Sequence, residues 1–166
     1  GRARRDILVM HSENSHFLYP AALYVARGPG FIHTILGSCV AVCLYDPVQQ
    51  MGGMAHYMLP LWNGEGLASP KYGNIAIERL IQKMESHGSR RYQMKAKIFG
   101  GGEVIETQKA YFYIGKRNIE TAFALLGDYR IPVIGSSTGG KYGRKIIFDT
   151  YSGQVRQRYV KRKDVP

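Results

Sequence analysis

Cysteine is scarce in this chain: two among 166 residues, at positions 39 and 43. Four residues apart on a strand, they would stand about 13 Å from each other on one face. Bonded cysteines keep their Cα atoms within about 7 Å. A disulfide framework is therefore excluded, and free thiols suit a reducing cytoplasm. Long apolar runs are missing too: no stretch of about 18 residues reads as a membrane-crossing helix. The opening "GRARRDILVMHSENS" has no apolar centre of the kind a secretory signal needs. Metal-ligand spacing is also lacking. Cys39, Cys43 and His56 give three candidate ligands where structural zinc takes four, and His11, His16, His33 and His87 add no pattern, so no metal is expected.

Acidic residues are few, 12 against 23 basic ones, for a formal net charge of +11. Such an excess favours anionic partners. No helix-turn-helix, zinc finger or RNP-type signature accompanies it, so no nucleic-acid partner is expected. The excess gathers in "GRARR" (1–5) and "RQRYVKRK" (156–163), which read as solvated ends.

What is present describes one domain spanning 1–166, with a core over about 20–160. Hydrophobic residues make up 45% of the chain, enough for a real core at this length. "ALYVARGPGFIHTIL" (22–36) reads as two short strands broken at 28–30. "SPKYGNIAIERLIQKMESHG" (69–88) reads as a helix with Ser69 as cap, Pro70 in the first position and Gly88 as the stop. Its buried stripe is Ile77, Leu80, Ile81 and Met84. "MKAKIFGGGEV" (94–104) reads as a strand ending in three glycines. "GKRNIETAFALLG" (115–127) reads as a second helix, with Ile119, Ala122, Phe123 and Leu126 inward. Strands in "RIPVIGSS", "RKIIFDT" and "GQVRQRYV" finish an α/β protein with two main helices and a largely antiparallel sheet system.

The chemistry centres on "CVAVCLYD" (39–46) and "GGMAHYMLP" (52–60), two apolar segments joined by "DPVQQ". Asp46 suits the first position of a turn and Pro47 the second. A hairpin closed symmetrically about Pro47 and Val48 sets Cys39 directly across from His56, with Cβ atoms about 5 Å apart. A thiol is a weak nucleophile until a base takes its proton, and His56 would be that base. Residues Gly37 and Ser38 leave space for substrate and expose backbone N–H groups suited to an oxyanion. The spacing by itself also fits two buried packing residues, the usual fate of such residues in a sheet. "GSSTGGK" (135–141) nearly matches a phosphate loop. It fails because Tyr142 lacks the aliphatic hydroxyl and "GRKIIFDT" is a strand where a helix is needed. It reads as a glycine-rich loop, and no cofactor is expected.

In family order, "LGSCVAVCLYDP", "GGMAHYMLP", "KYGNIAIERLI", "KIFGGGEV", "IGKRNIE" and "GRKIIFDT" resemble the chemoreceptor glutamine deamidase family of bacterial chemotaxis, CheD. The resemblance implies an α/β/β layered sandwich with a Cys-His-Thr site and no cofactor. It implies hydrolysis of selected glutamine amides on the cytoplasmic helical region of methyl-accepting chemotaxis receptors, and association with methyl-ester hydrolysis there. Many members bind the phosphatase CheC. Carried over, Cys39 is the nucleophile and His56 the base. The family's threonine can stand six residues before the cysteine, which here is His33. Sliding the strand by one residue aligns Thr34, taken as the third member with His33 as its substitute. The competing reading is a non-catalytic docking regulator of that phosphatase.

Overall fold

A computed structural model describes residues 14–103 and 113–161. The basic residues 1–5, Arg162 and Lys163 lie outside the described residues, as does Val104. Nine strands and two main helices are described: β1 (Ser15–Phe17), β2 (Ala22–Arg27), β3 (Phe31–Leu36), β4 (Val40–Asp46), β5 (Met51–Tyr57), α1 (Gly73–Ser86), β6 (Lys95–Gly100), α2 (Ile114–Asp128), β7 (Val133–Thr138), β8 (Gly143–Asp149) and β9 (Val155–Val160). They form a five-stranded sheet, β2-β5-β4-β6-β7, and a four-stranded sheet, β1-β3-β8-β9. All pairings are antiparallel except β6 with β7 and β1 with β3.

Two apolar layers hold these elements together. Ile77, Leu80, Ile81 and Met84 of α1, with Ala122 and Leu126 of α2, cover one face of the five-stranded sheet. The other face meets the four-stranded sheet through Leu18, Ile32, Leu36, Ala41, Cys43, Met54, Ile146 and Phe148. This is the α/β/β layered sandwich. Its central strand β4 is buried on both sides and reads as a continuous apolar run.

Several expectations shift. Helix α1 begins at Gly73, not near Ser69 and Pro70, because residues 69–72 form a turn and Tyr72 stays extended to bridge Leu59. Its stop at Gly88 is as read, with φ +105 and Ser89 N–H donating to Met84 C=O. The buried stripe of α2 is rotated: Gly115, Asn118, Ala122 and Leu126 face inward, and Phe123 is 42% exposed. Most of "GSSTGGK" is edge strand β7 rather than loop, since β6 presents an open ladder for it. Arg156, Gln157 and Arg158 belong to strand β9 rather than to a free end. The three-residue strand β1 had no expectation at all.

Close neighbours leave no room for a side chain at Gly52 or Gly53 of β5. A Cβ on Gly53 would stand 2.7 Å from Val25 Cγ2 and 2.9 Å from the Tyr24 carbonyl oxygen, an atom fixed in the ladder. Gly53→Ala is therefore expected to cost about 1–3 kcal/mol in urea unfolding. Gly127→Ala is expected to add about 0.5–1 kcal/mol, since it lies in α2 with open space around it.

Candidate active site

The turn at 37–39 carries the chain from β3 in one sheet to β4 in the other, and Cys39 stands at the crossing. His56 lies on β5 between two alanines, Ala22 on β2 and Ala41 on β4. These small neighbours leave the imidazole room, and it is 1% exposed. Thr34 reaches it from the opposite sheet, on the inward face of β3 with Ile32 and Leu36.

The hydrogen bonds define the tautomer. The Thr34 hydroxyl donates its one proton to the Leu18 carbonyl at 2.6 Å. Its oxygen, 2.8 Å from His56 Nδ1, can then only accept, so Nδ1 carries the ring proton. Nε2 is left with a lone pair, and it is a buried atom with no partner. His33 points the other way, its ring edge-on to Phe17 at 5.2 Å between centroids. Of the two candidates for the third position, the structure brings Thr34 to His56.

The hairpin register differs from the expected one. Ala41, not Cys39, stands opposite His56. The connection spans four residues, 47–50: the Asp46 carboxylate accepts the N–H groups of Val48 and Gln49, and Gln50 takes φ +51. A shift of two residues preserves the face. Cys39 stands on the turn just before β4 and packs against the inter-sheet cluster that includes Ala41. Its thiol is partly exposed, whereas Cys43 is buried.

Three groups that the sequence reading assigned no role hold the turn at Cys39. Gly102 N–H donates to Gly37 C=O at 2.9 Å and Gly101 N–H to Cys39 C=O at 2.8 Å. Asn118 Nδ2 donates to Ser38 C=O and to Met58 C=O, both at 3.0 Å. Tyr57 donates its hydroxyl to the backbone carbonyl of Asn118. Gly100, at φ +104, passes so close to Cys39 C=O that no side chain fits there. With these carbonyls taken, the amides of Ser38 and Cys39 bond no carbonyl among the described residues. An asparagine on the inward stripe of α2 was the available signal.

Burial sets the charges. It lowers His56 from 6.5 to about 4 and raises the Cys39 thiol to about 11. Near neutral pH both are uncharged, and no thiol–imidazole hydrogen bond or ion pair joins them. Among the described residues no three His, Cys, Asp or Glu side chains converge to hold a metal ion. No helix there is long and apolar enough to cross a membrane.

The chain is similar to known proteins. Residues 58–159 match the family described as CheD chemotactic sensory transduction. The chain is 51% identical to the probable chemoreceptor glutamine deamidase CheD of Trichlorobacter lovleyi, over 84% of this chain and 87% of that protein. It is 47% identical to the protein of the same name from Sulfurimonas denitrificans, over 89% and 96%. Among solved structures, YfiH of Bacillus licheniformis superposes with a TM-score of 0.51 at 19% identity, covering 82% of this chain and 67% of that one, a likeness of fold alone.

Proposed function

This chain belongs to the CheD family, and from that premise we propose that it deamidates selected glutamine side chains of chemotaxis receptors to glutamate, with Cys39 as nucleophile, His56 as base and Thr34 orienting the ring. The observation that carries the site is the state of His56: Nδ1 is engaged by Thr34, and Nε2 is buried without a partner.

The steps follow from these groups. As Cys39 sulfur attacks the side-chain carbonyl carbon, its proton passes to His56 Nε2. The negative charge on the carbonyl oxygen is met by the backbone amides of residues 38 and 39. The imidazolium returns its proton to the departing ammonia as the C–N bond breaks, leaving a thioester. Water then loses a proton to Nε2, attacks the same carbon and releases glutamate and the thiol. A methyl ester takes the same route with methanol leaving.

Finer readings rest on membership and charge. The substrate is the cytoplasmic helical region of the receptor, whose glutamates suit a chain of charge +11. The phosphatase CheC is a second partner, and the setting is the cytoplasm. Mass spectrometry of a receptor cytoplasmic fragment tests the activity: NH2-to-OH conversions at discrete glutamines are expected after incubation with this protein. An unchanged fragment that binds the protein would instead favour a docking regulator.

The charges predict the pH profile. A neutral His56 is required, so the acid limb of kcat/KM is expected near pH 4, with no inflection near 6.5. Stability follows the same group. Between pH 4 and 6.5 the unfolded chain binds a proton that the folded chain refuses, so stability rises with pH across that window and is complete above it. An inflection at 6.5 in the rate profile would contradict a buried, neutral base.

A further inference from the structure

Arg144 has no place in the chemistry described so far. It sits on β8 opposite Leu36 and faces inward with Ile146 and Phe148. It is 2% exposed. Among the described residues it has no acidic partner. Its Nη2 donates to Gly139 C=O at 2.7 Å and its Nε to Ser137 Oγ at 3.3 Å. The Tyr159 ring lies over the guanidinium at 5.2 Å, and Nη1 is buried without a partner. Burying a cation with no opposing charge is costly, and an apolar residue of similar volume usually serves stability as well or better. Stability alone is therefore a poor account of an arginine here.

Its bonds lead to the nucleophile. Gly139 and Gly140 both hold φ +79, a conformation that glycine leaves cheaply. The guanidinium fixes this pair through Gly139 C=O. Gly139 N–H donates to Gly100 C=O at 2.9 Å, and Gly140 C=O accepts Glu103 N–H at 2.7 Å. The segment 100–103, clamped from this side, donates from its other side to Gly37 C=O and Cys39 C=O.

We propose that Arg144 is a positioning residue for the deamidation: through the turn at 139–140 and the glycines at 100–102 it holds residues 37–39 in the geometry that presents the Cys39 thiol and the neighbouring amides. The planar fork of arginine reaches two acceptors at once, which the ammonium of lysine does not reproduce. The proposal rests on Cys39 being the nucleophile.

The test uses the full chain with Arg144→Lys, Arg144→Met and Ser137→Ala, beside wild type and Cys39→Ala. Two readouts are taken: deamidation kinetics on a receptor cytoplasmic fragment, and the rate of Cys39 alkylation by iodoacetamide, located by peptide mass with buried Cys43 as internal reference. Arg144→Met and Arg144→Lys are expected to lower kcat about 10- to 100-fold with KM within about twofold. Ser137→Ala, a change at a half-buried position of edge strand β7 that keeps the bond from the guanidinium to Gly139, is expected to lower kcat about threefold. Cys39 alkylation is expected to change in the same order of variants while Cys43 stays protected. Folded Arg144 variants with wild-type kcat and alkylation overturn the proposal. So does a loss confined to KM. If Arg144→Met fails to fold, an Arg144→Lys or Ser137→Ala protein with unchanged kcat and alkylation overturns it equally. An active Cys39→Ala enzyme overturns the nucleophile assignment and this proposal with it; an inactive one leaves the Arg144 result to bear on positioning alone.

Discussion

A Cys39→Ala protein is expected to lose at least about 10³-fold in deamidation rate while unfolding at nearly the wild-type denaturant midpoint. The rate loss is large because no other group can take the place of the sulfur. Cys43, the other thiol, is 2% exposed, and burial raises its pKa even further than that of Cys39. It also lies inside β4, opposite Met54, packed among the apolar side chains between the two sheets. The stability change is small because alanine keeps Cβ, and the removed sulfur is partly exposed rather than central to the layer. The measurement is conversion of receptor glutamines by peptide mass spectrometry, paired with urea unfolding. Residual activity within tenfold of wild type would remove Cys39 from the chemistry.

How much of this was legible depended on whether the signal was local. The strands either side of 28–30, the hairpin turn at Asp46 and Pro47 and the stripe of α1 all come from short-range pattern and turn chemistry, and they stand where expected. The register of that hairpin was not legible, because it depends on the length of the connection. A four-residue link rather than a two-residue one moves Ala41 opposite His56, and nothing in the apolar pattern distinguishes the two. The choice between His33 and Thr34 was legible in principle. In "FIHTIL" the strand period puts Ile32, Thr34 and Leu36 on one face, so the threonine turns toward the core with its apolar neighbours. Asn118, Arg144 and the glycines at 100–102 act only through contacts made across elements distant in sequence. Periodicity registers an inward asparagine or arginine as a defect in an apolar stripe, not as a tether.

Thr34 carries the second large effect. Thr34→Val keeps the volume and the β-branch but removes the acceptor that holds His56 Nδ1–H and the donor that satisfies Leu18 C=O. The freed ring can take the other tautomer, with the proton on Nε2, where it no longer accepts from the thiol. A carboxylate in the corresponding place of a serine protease is worth about 10⁴ in kcat, part of it through its charge on the imidazolium. A neutral hydroxyl supplies orientation without that charge, so Thr34→Val is expected to lower kcat about 10²-fold with KM nearly unchanged. Thr34→Ser, which restores the hydroxyl, is expected to recover most of the rate. His33→Ala is expected to leave kcat within about twofold, because that ring faces Phe17 on the outer side of β3 and makes no bond to His56. Two unpartnered buried groups also cost the valine variant about 1–3 kcal/mol of stability, so kcat is compared at a temperature where circular dichroism shows each protein folded. A valine variant with wild-type kcat, or a His33→Ala protein that loses it, would transfer the orienting role from Thr34 to its neighbour.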